Sequence, residues 1–239
     1  MKIVSLLLCI SLAIDANADA KIDESNRYVD KLLQQTIPQG GGVLGGSRLD
    51  GFRIKIDKKS SLMIGTKGHI LINTLKEVEV NMNDGIVSGL HGLKRLGDCS
   101  PPMWQLGSVV VSCYVSLNGV TANYRGKIAR KKKVSFLPTS SHEDEITAEA
   151  VMMDAKAFIE VSGAPDGQPT VSSWSVMPYH LDMSYSKSYE DVYSALKRKL
   201  RKQLEEHIRE RLDSFLYGQL KRGLETAVRV DPLPMPSST

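Results

Sequence analysis

"GIVSGLHGLKRLGDC" (Gly85–Cys99) decides how the chain is interpreted, because it matches neither a helix nor a flat strand. Its leucines fall at every third residue, its glycines recur among them, and a basic pair, Lys94-Arg95, interrupts it. Glycines inside a strand mark bulges, sharp bends or close backbone approach. Spacing that drifts from two towards three is expected where a strand turns its face around a curved core. The stretch therefore predicts the bend of a strongly curved sheet, with an ordinary loop as the alternative.

A long helix is predicted at the C-terminal end of the chain. From Val192 to Val228 an apolar residue follows every fourth position, with charged and polar residues between. A step of four overshoots one helical turn by about 40°, so the apolar stripe travels around the helix axis. The surface that receives this helix must change direction along its length, as a sheet wrapped around it would. An ordinary helix whose ends meet different elements is the alternative.

Strand-like segments fill the middle of the chain. They are rich in Val, Ile, Met, Tyr and Trp and alternate in places, and they cover Ser61–Met82, Met103–Ala122, Ile146–Val161 and Thr170–Tyr185. The breakers predicted between them are "NDG" (83–85), "NG" (118–119), "PTSSHEDE" (138–145) and "GAPDGQP" (163–169). A helix, several antiparallel strands and a second helix, in that order, indicate an α+β fold.

The N-terminal region predicts a secreted protein. Residues 1–20 have a basic second residue, a short apolar run and a small-residue pattern before Lys21, which is typical of a signal peptide. A helix is predicted over Ile22–Ile37, ended by Pro38, and a flexible glycine-rich connector follows over 39–46. We expect one domain over 21–230, a flexible Pro-rich tail over 231–239 and no transmembrane segment.

Two cysteines remain after removal of the predicted signal peptide. In an oxidising compartment Cys99 and Cys113 are most simply each other's partner. Two buried free thiols are the alternative.

The opening stretch also carries a family resemblance. "VSGLHGLKRLGD" (Val87–Asp98), between an amphipathic strand and long alternating strands, resembles the group seven mite allergens in Gly89-Leu90, Leu93, Lys94-Arg95 and Gly97-Asp98. That family is similar in fold to one half of the bactericidal/permeability-increasing protein and to juvenile-hormone-binding proteins, the tubular lipid-binding superfamily. The resemblance implies a secreted arthropod protein with a strongly curved antiparallel sheet around a long C-terminal helix and a second, N-terminal helix. It also implies an apolar interior or cleft for a lipid-like ligand.

The reactive residue types form no recognisable catalytic motif. The five histidines are widely spaced and form no HExxH motif, and no Gly-x-Ser-x-Gly elbow or phosphate loop occurs. We therefore expect no enzymatic activity, no bound metal and no cofactor.

Binding of a lipid-like molecule is the first functional hypothesis. Such sites are concave and apolar with few polar anchors, and methionine adapts to ligands of varied shape. For any single residue a closed core is the alternative. The candidate ligand-binding residues are Trp104, Met152, Met153, Trp174, Met177, Met183, Leu212, Phe215 and Leu216.

Binding to an anionic surface is the second hypothesis. The formal net charge is +4, and basic residues cluster in Arg125–Lys133 and again in Leu196–Lys202, where downstream acidic residues offset them. The candidate residues are Arg125, Lys127, Arg130, Lys131, Lys132 and Lys133. The surface could belong to an acidic lipid, a bacterial lipid head group or a sulfated glycan, and a solvated face is the alternative. Nucleic acid is not expected as a partner, because basic residues are not interleaved with aromatic ones, and we expect a monomer or a weak dimer.

Overall fold

The fold is described by a computed structural model that covers residues 2–36, 48–64, 70–165 and 167–236. The connector predicted over 39–46 lies outside these residues. The helices are α1 (Lys2–Thr36), α2 (Lys187–Glu190), α3 (Ser194–Phe215) and α4 (Lys221–Ala227), with a 3₁₀ turn at Leu90–Gly92 and a π-helical turn at Leu216–Leu220. The strands are β1 (Arg48–Leu49), β2 (Phe52–Ile64), β3 (Ile70–Ser88), β4 (Lys94–Arg95), β5 (Met103–Gln105), β6 (Ser108–Ser116), β7 (Thr121–Val134), β8 (Ser140–Met153), β9 (Lys156–Gly163), β10 (Thr170–Val176) and β11 (His180–Tyr185).

The strands form two antiparallel sheets, and with the helices they make the predicted α+β fold. The larger sheet has six strands in the order β1-β3-β7-β8-β11, with β2 also paired to β3. The smaller sheet has five strands in the order β10-β9-β6-β4, with β5 also paired to β6. The curved sheet predicted from the sequence is therefore divided into two parts.

The two sheets share strand pairs that continue across a sharp bend. The pairing of β6 with β9 ends at Ser116 and Lys156, and the pairing of β7 with β8 resumes in the same register at Thr121 and Val151. Between them the amide of Leu117 donates to the carbonyl of Ala155 at 2.9 Å. Residues 108–134 thus form one long bent run of chain, paired with a second run over 140–163.

Gly85–Cys99 crosses the same bend, as the sequence predicts. The chain leaves β3 of the larger sheet, passes through the 3₁₀ turn and enters β4 of the smaller sheet. Gly89 has φ +79°, and a Cβ atom there would lie 2.2 Å from the carbonyl oxygen of Gly119 on the neighbouring run. Gly119 (φ +83°) and Asp154 (φ +54°) also adopt left-handed conformations at this bend. Three adjacent runs of chain therefore turn together, and only a residue without a side chain fits at Gly89.

The C-terminal helix follows the change of surface that its stripe predicts. The side chains at every fourth position are buried, including Leu200, Leu204 and Ile208 at 0% exposure. α3 packs on β1, β2 and β11 of the larger sheet, whereas α4 packs on β10 of the smaller sheet and on α1. Each fully buried Leu or Ile contributes about 1.5–3 kcal/mol relative to an exposed one. The helix thus joins the two sheets into one hydrophobic core.

Helix α1 attaches to the end of the bend. Asn26 accepts a hydrogen bond from the Cys99 amide and donates one to Asp98, both at 2.9 Å. Arg95 makes a two-point ion pair with Asp30. The basic pair of the opening stretch therefore supplies a structural contact through Arg95. The signal-peptide cleavage stays a prediction.

The beginning of the segment predicted as a flexible tail lies against α1. Asp231 accepts hydrogen bonds from Lys31 at 2.6 Å and Gln35 at 2.8 Å, which lower the pKa of its carboxyl group. Leu233 is buried at 8% exposure.

Cys99 and Cys113 form a disulfide with their Cα atoms 4.5 Å apart. The bridge predicted on grounds of compartment is therefore confirmed, and it ties the segment after β4 to β6.

Three of the segments predicted to separate strands have different structures from one another. "NDG" (83–85) forms a bulge inside β3, where the register with β7 shifts between Met82 and Asp84. "NG" (118–119) lies at the bend between the sheets, and "PTSSHEDE" (138–145) contains the start of β8 at Ser140. "NG" therefore separates two strands as predicted, whereas pairing with neighbouring strands overrides the local turn preference at "NDG" and, from Ser140 onward, in "PTSSHEDE".

Candidate functional site: the basic tip

The far end of the larger sheet extends beyond the core. Along β2 the inward-facing Phe52, Ile54 and Ile56 are buried, but every residue from Asp57 to Leu62 is exposed. β7 shows the same change, because Lys131, Lys132 and Lys133 are all exposed in succession. Both faces of β2 and β7 are therefore open to water here, while most of β3 between them is half-buried. We call this region, residues 58–62, 72–76 and 131–137, the basic tip.

Lysines from three neighbouring strands line up across the basic tip. Lys58 of β2 is the cross-strand partner of Lys76 on β3, and Lys76 is the partner of Lys132 on β7. Like charges directly opposite on adjacent strands destabilise a sheet. The ammonium group of Lys76 lies 5.2 Å from the ring centre of Tyr193. This cation–π contact partly offsets the repulsion between the lysines. Within the described residues, no carboxylate pairs with Lys58 or Lys132.

A cleft of about 410 Å³ lies on the tip between two further lysines. Lys59 and Lys133 are the cross-strand partners of Leu75, one on each side. Hydroxyl groups and the Leu75 side chain complete the lining, which consists of Lys59, Ser60, Ser61, Asn73, Thr74, Leu75, Lys133 and Ser135. An ammonium group offers three donors, and hydroxyls both donate and accept. The cleft can therefore bind phosphate or sulfate oxygens.

A four-residue turn, Val134–Leu137, ends β7 beside Asn73 of β3, and the pairing of β2 with β3 continues past it to Ile64 and Ile70. The Leu137 amide donates to the Val134 carbonyl at 3.1 Å. Ser135 fixes the turn to β3, because its amide donates to the Asn73 carbonyl at 2.9 Å and its hydroxyl accepts from the Asn73 amide at 3.0 Å. Phe136 is 92% exposed and Leu137 is 62% exposed. The turn thus presents two large apolar side chains on a fixed backbone.

The six residues predicted to bind an anionic surface lie along β7, and only some of them belong to the basic tip. Lys127 pairs with Glu143 at 3.1 Å, and Lys131 lies 3.8 Å from Glu77. Arg125 is exposed nearer the bend, beside a separate cleft. The exposed basic residues of β7 therefore become less neutralised by acidic neighbours towards Lys132 and Lys133.

Arg130 differs from the rest of that predicted set because it points inward. It is 8% exposed and forms ion pairs with Asp144 and with Asp191 just after α2. Alternation along β7 puts its side chain on the face that the helices cover. Arg130 therefore fixes α2 to the sheet and does not contribute to the exposed patch.

The nine residues predicted to bind an apolar ligand are divided among core, rim and surface. Five of them are buried, namely Met152, Trp174, Leu212, Phe215 and Leu216. Among these the structure brings Trp174 to the π-helical turn, where its indole N–H donates to the Leu216 carbonyl at 3.2 Å. Met177 and Met183 are half-buried, whereas Trp104 and Met153 are exposed at 55% and 46%. The set does not form one continuous wall.

Sequence reasoning missed half of the basic tip. Lys58, Lys59 and Lys76 come from other strands than the predicted cluster, and Phe136 and Leu137 were placed in no site. One signal was present in "FRIKIDKKSS" (52–61), where apolar alternation stops after Ile56 while the strand continues. Such a stop indicates a strand that leaves the core.

Comparison with known proteins finds similarity to a salivary protein. No family model matches the chain. The chain is 25% identical over 229 residues to "Salivary anticoagulant protein P23" from Ixodes scapularis, and the match covers 95% of this chain and 97% of that protein. The chain is thus similar over nearly its whole length to a tick salivary protein. The resemblance to mite allergens stays a prediction. None of the described helices is both long and apolar enough to cross a membrane.

Proposed function

We propose that the protein is a secreted, non-enzymatic binder of anionic surfaces and that the basic tip is its contact site. The observation that carries the proposal is the row formed by Lys58, Lys76 and Lys132 on three adjacent strands. This row is unfavourable in the free protein, because the ammonium groups repel each other. A bound polyanion would offset that repulsion. The row is therefore better explained by anion binding than by a contribution to fold stability.

The chemistry of the tip suits an extended surface better than a single small anion. A lysine is a flexible point charge, whereas planar recognition of one phosphate or carboxylate usually uses arginine. Near an anionic lipid surface each basic residue contributes about 1 kcal/mol. Because Lys58, Lys76 and Lys132 form one row on one face of the tip, they can approach such a surface together.

The similarity to a protein named a salivary anticoagulant supports a role in delaying clotting. A protein that covers an anionic surface would block the access of clotting proteins to it. We propose that this protein delays clotting in that way, as a secreted component of an arthropod.

The proposal is tested by binding to immobilised heparin and to vesicles that contain phosphatidylserine, over a series of salt concentrations. Wild-type binding should weaken steadily as salt shortens the Debye length. The variant Lys58→Gln/Lys132→Gln/Lys133→Gln should bind about 100-fold more weakly, since three contributions of about 1 kcal/mol are lost. It should remain folded, because it leaves Lys76 with Tyr193 and removes like charges beside it.

A matched control removes the same charge elsewhere. Lys94, Lys199 and Lys202 are exposed outside the tip, so Lys94→Gln/Lys199→Gln/Lys202→Gln should bind almost as tightly as wild type. Equal losses in the two triple variants would mean that net charge alone matters, and the assignment to the tip would be wrong.

A second candidate function is the binding of one lipid-like molecule. A cleft of about 550 Å³ between β11 and α3 is lined by Met183 of the predicted set and by the stacked rings of Tyr185 and Tyr189. Burial raises the pKa of Tyr185, and its hydroxyl has no hydrogen-bond partner among the described residues. A ligand polar group could satisfy that hydroxyl, and Arg198 at the rim could pair with an acidic head group.

This candidate is tested by native mass spectrometry of the secreted protein, followed by extraction of any co-purifying molecule. One fatty acid or phospholipid per chain would support it. Uptake of a fluorescent fatty acid, whose carboxylate can accept a hydrogen bond from the Tyr185 hydroxyl, should then weaken in Tyr185→Phe. A protein that takes up no probe at all would argue for a closed core.

A further inference from the structure

We propose that the turn Val134–Leu137 inserts into the headgroup layer of a bilayer that contains acidic phospholipids. The partner of the basic tip is then a membrane and not a soluble polyanion. This inference rests on the proposed function, because it assigns the class of anionic surface that the basic tip binds.

Three of the large exposed apolar side chains lie at the end of the sheet that carries the lysines. Phe136 is 92% exposed, Leu137 62% and Leu62, on β2 at the far side of β3, 59%. Single exposed apolar residues are normal on protein surfaces. Three at one end of a sheet, beside a row of lysines, form the pattern of interfacial membrane anchors. A sulfated glycan would engage the lysines but would have no use for the apolar side chains.

The backbone conformation at Phe136 indicates that this residue does not serve to stabilise the fold. Its φ is +67°, a left-handed conformation that is unfavourable for a residue with a side chain and that Gly or Asn adopts more readily. The large aromatic ring recovers little of this cost by packing, since it is almost fully exposed. Strained residues that persist in this way concentrate at functional sites.

The turn is also prepared for a medium poor in water. The amides of Ser135 and Leu137 already donate to the carbonyls of Asn73 and Val134, and Pro138 has no N–H group to satisfy. Few backbone donors would therefore lose hydration on entry into the interface. At about 3.3 Å per strand residue, Lys132 and Lys133 lie within roughly 10 Å of the turn. With Phe136 at the acyl boundary, these lysines reach the level of the lipid phosphates.

The first test compares vesicle binding with heparin binding in two matched variants. Phe136→Asn/Leu137→Ser should bind phosphatidylserine-containing vesicles about 10- to 100-fold more weakly at physiological salt, because two apolar side chains no longer enter the interface. Its retention on heparin should match wild type. The control Leu106→Asn removes a fully exposed apolar side chain from a different turn. It should change neither vesicle binding nor retention on heparin.

The second test locates the turn directly. In a Trp104→Phe background, Phe136→Trp places one exposed tryptophan at the tip, while Trp174 stays buried. Lipids brominated near the top of their acyl chains should quench this tryptophan. In the wild-type protein the same lipids should leave Trp104 unquenched.

The outcomes separate the two proposals. If Phe136→Asn/Leu137→Ser binds vesicles as tightly as wild type and Phe136→Trp is not quenched, insertion is overturned while surface binding stands. If wild type binds heparin but not vesicles, the partner is a glycan and insertion is again overturned. If wild type binds neither, the proposed function itself fails.

Discussion

Two turns end the same long run of chain, residues 108–134, and they differ in charge. At one end Phe136 is exposed in a left-handed conformation, and at the other Leu106 is exposed with φ +48°. Leu106 has exposed Met103 and Trp104 beside it, but no lysine lies between Met103 and Ser108. Lysines accompany Phe136 on three strands. The apolar content is therefore shared by the two turns, and positive charge is what distinguishes the basic tip.

This difference in charge determines which kind of lipid surface each turn would bind. An apolar side chain gains free energy from any interface, so it does not discriminate between neutral and acidic lipids. Lysines respond to charge over a distance set by the salt concentration. We therefore expect both turns to be capable of apolar contact, and only the basic tip to select an anionic surface.

The largest expected effect is on the bend that connects the two ends. Gly89→Val would place a side chain against the Gly119 backbone in a left-handed conformation, and we expect a loss of more than about 3 kcal/mol in the free energy of unfolding. Urea denaturation measures it. Gly92 has open space around it, so Gly92→Ala should change stability little. A well-folded Gly89→Val protein would mean that the ends do not depend on this bend.

The disulfide lies on the Trp104 side of the molecule, in the smaller sheet, and away from the basic tip. Cys99→Ser/Cys113→Ser opens a loop of about 15 residues and should cost about 3 kcal/mol in the free energy of unfolding. Below the midpoint of thermal unfolding the variant should still bind anionic vesicles like wild type, because the tip lies in the other sheet. Lost binding by a folded variant would show that the two ends are coupled.

Adding charge to the second turn should make it resemble the basic tip. Gln105→Lys/Ser108→Lys places two lysines beside Trp104 and Leu106, which should add about 2 kcal/mol of attraction to an acidic bilayer. With binding sites at both ends, the protein should cluster phosphatidylserine-containing vesicles, and turbidity reports this. Gln105→Ser/Ser108→Ala serves as the neutral control. If both double variants cluster vesicles alike, charge is not the distinguishing feature.

The smallest effect concerns the strained residue in each turn. Phe136→Asn and Leu106→Asn should each raise the free energy of unfolding by up to about 1 kcal/mol, because Asn adopts positive φ more readily. Only Phe136→Asn should weaken vesicle binding. Thermal unfolding and vesicle sedimentation measure the two properties. A destabilised Phe136→Asn would show that the ring supports the fold after all.

The sequence predicted the parts of the fold that depend on periodicity. The apolar residue at every fourth position fixed the C-terminal helix and required its supporting surface to turn, and the glycines of Gly85–Cys99 predicted the bend. The positions of "NDG" and "PTSSHEDE" could not be predicted, because strand pairing overrides a local turn signal. The candidate site was only half predicted, since Lys132 and Lys133 lie in an obvious cluster while Lys58 and Lys76 do not.

The sequence by itself determined the α+β class, the cysteine pair, the travelling stripe and the basic character of β7, because each depends on local spacing or composition. The tertiary structure alone decided that Lys58, Lys76 and Lys132 share one row, that Arg130 points inward and that Phe136 stands beside them. Strand register sets these relations, and register joins Lys58 to Lys76, 18 positions away, and Lys76 to Lys132, 56 positions away. No local pattern contains that information, because it arises only when the strands pair.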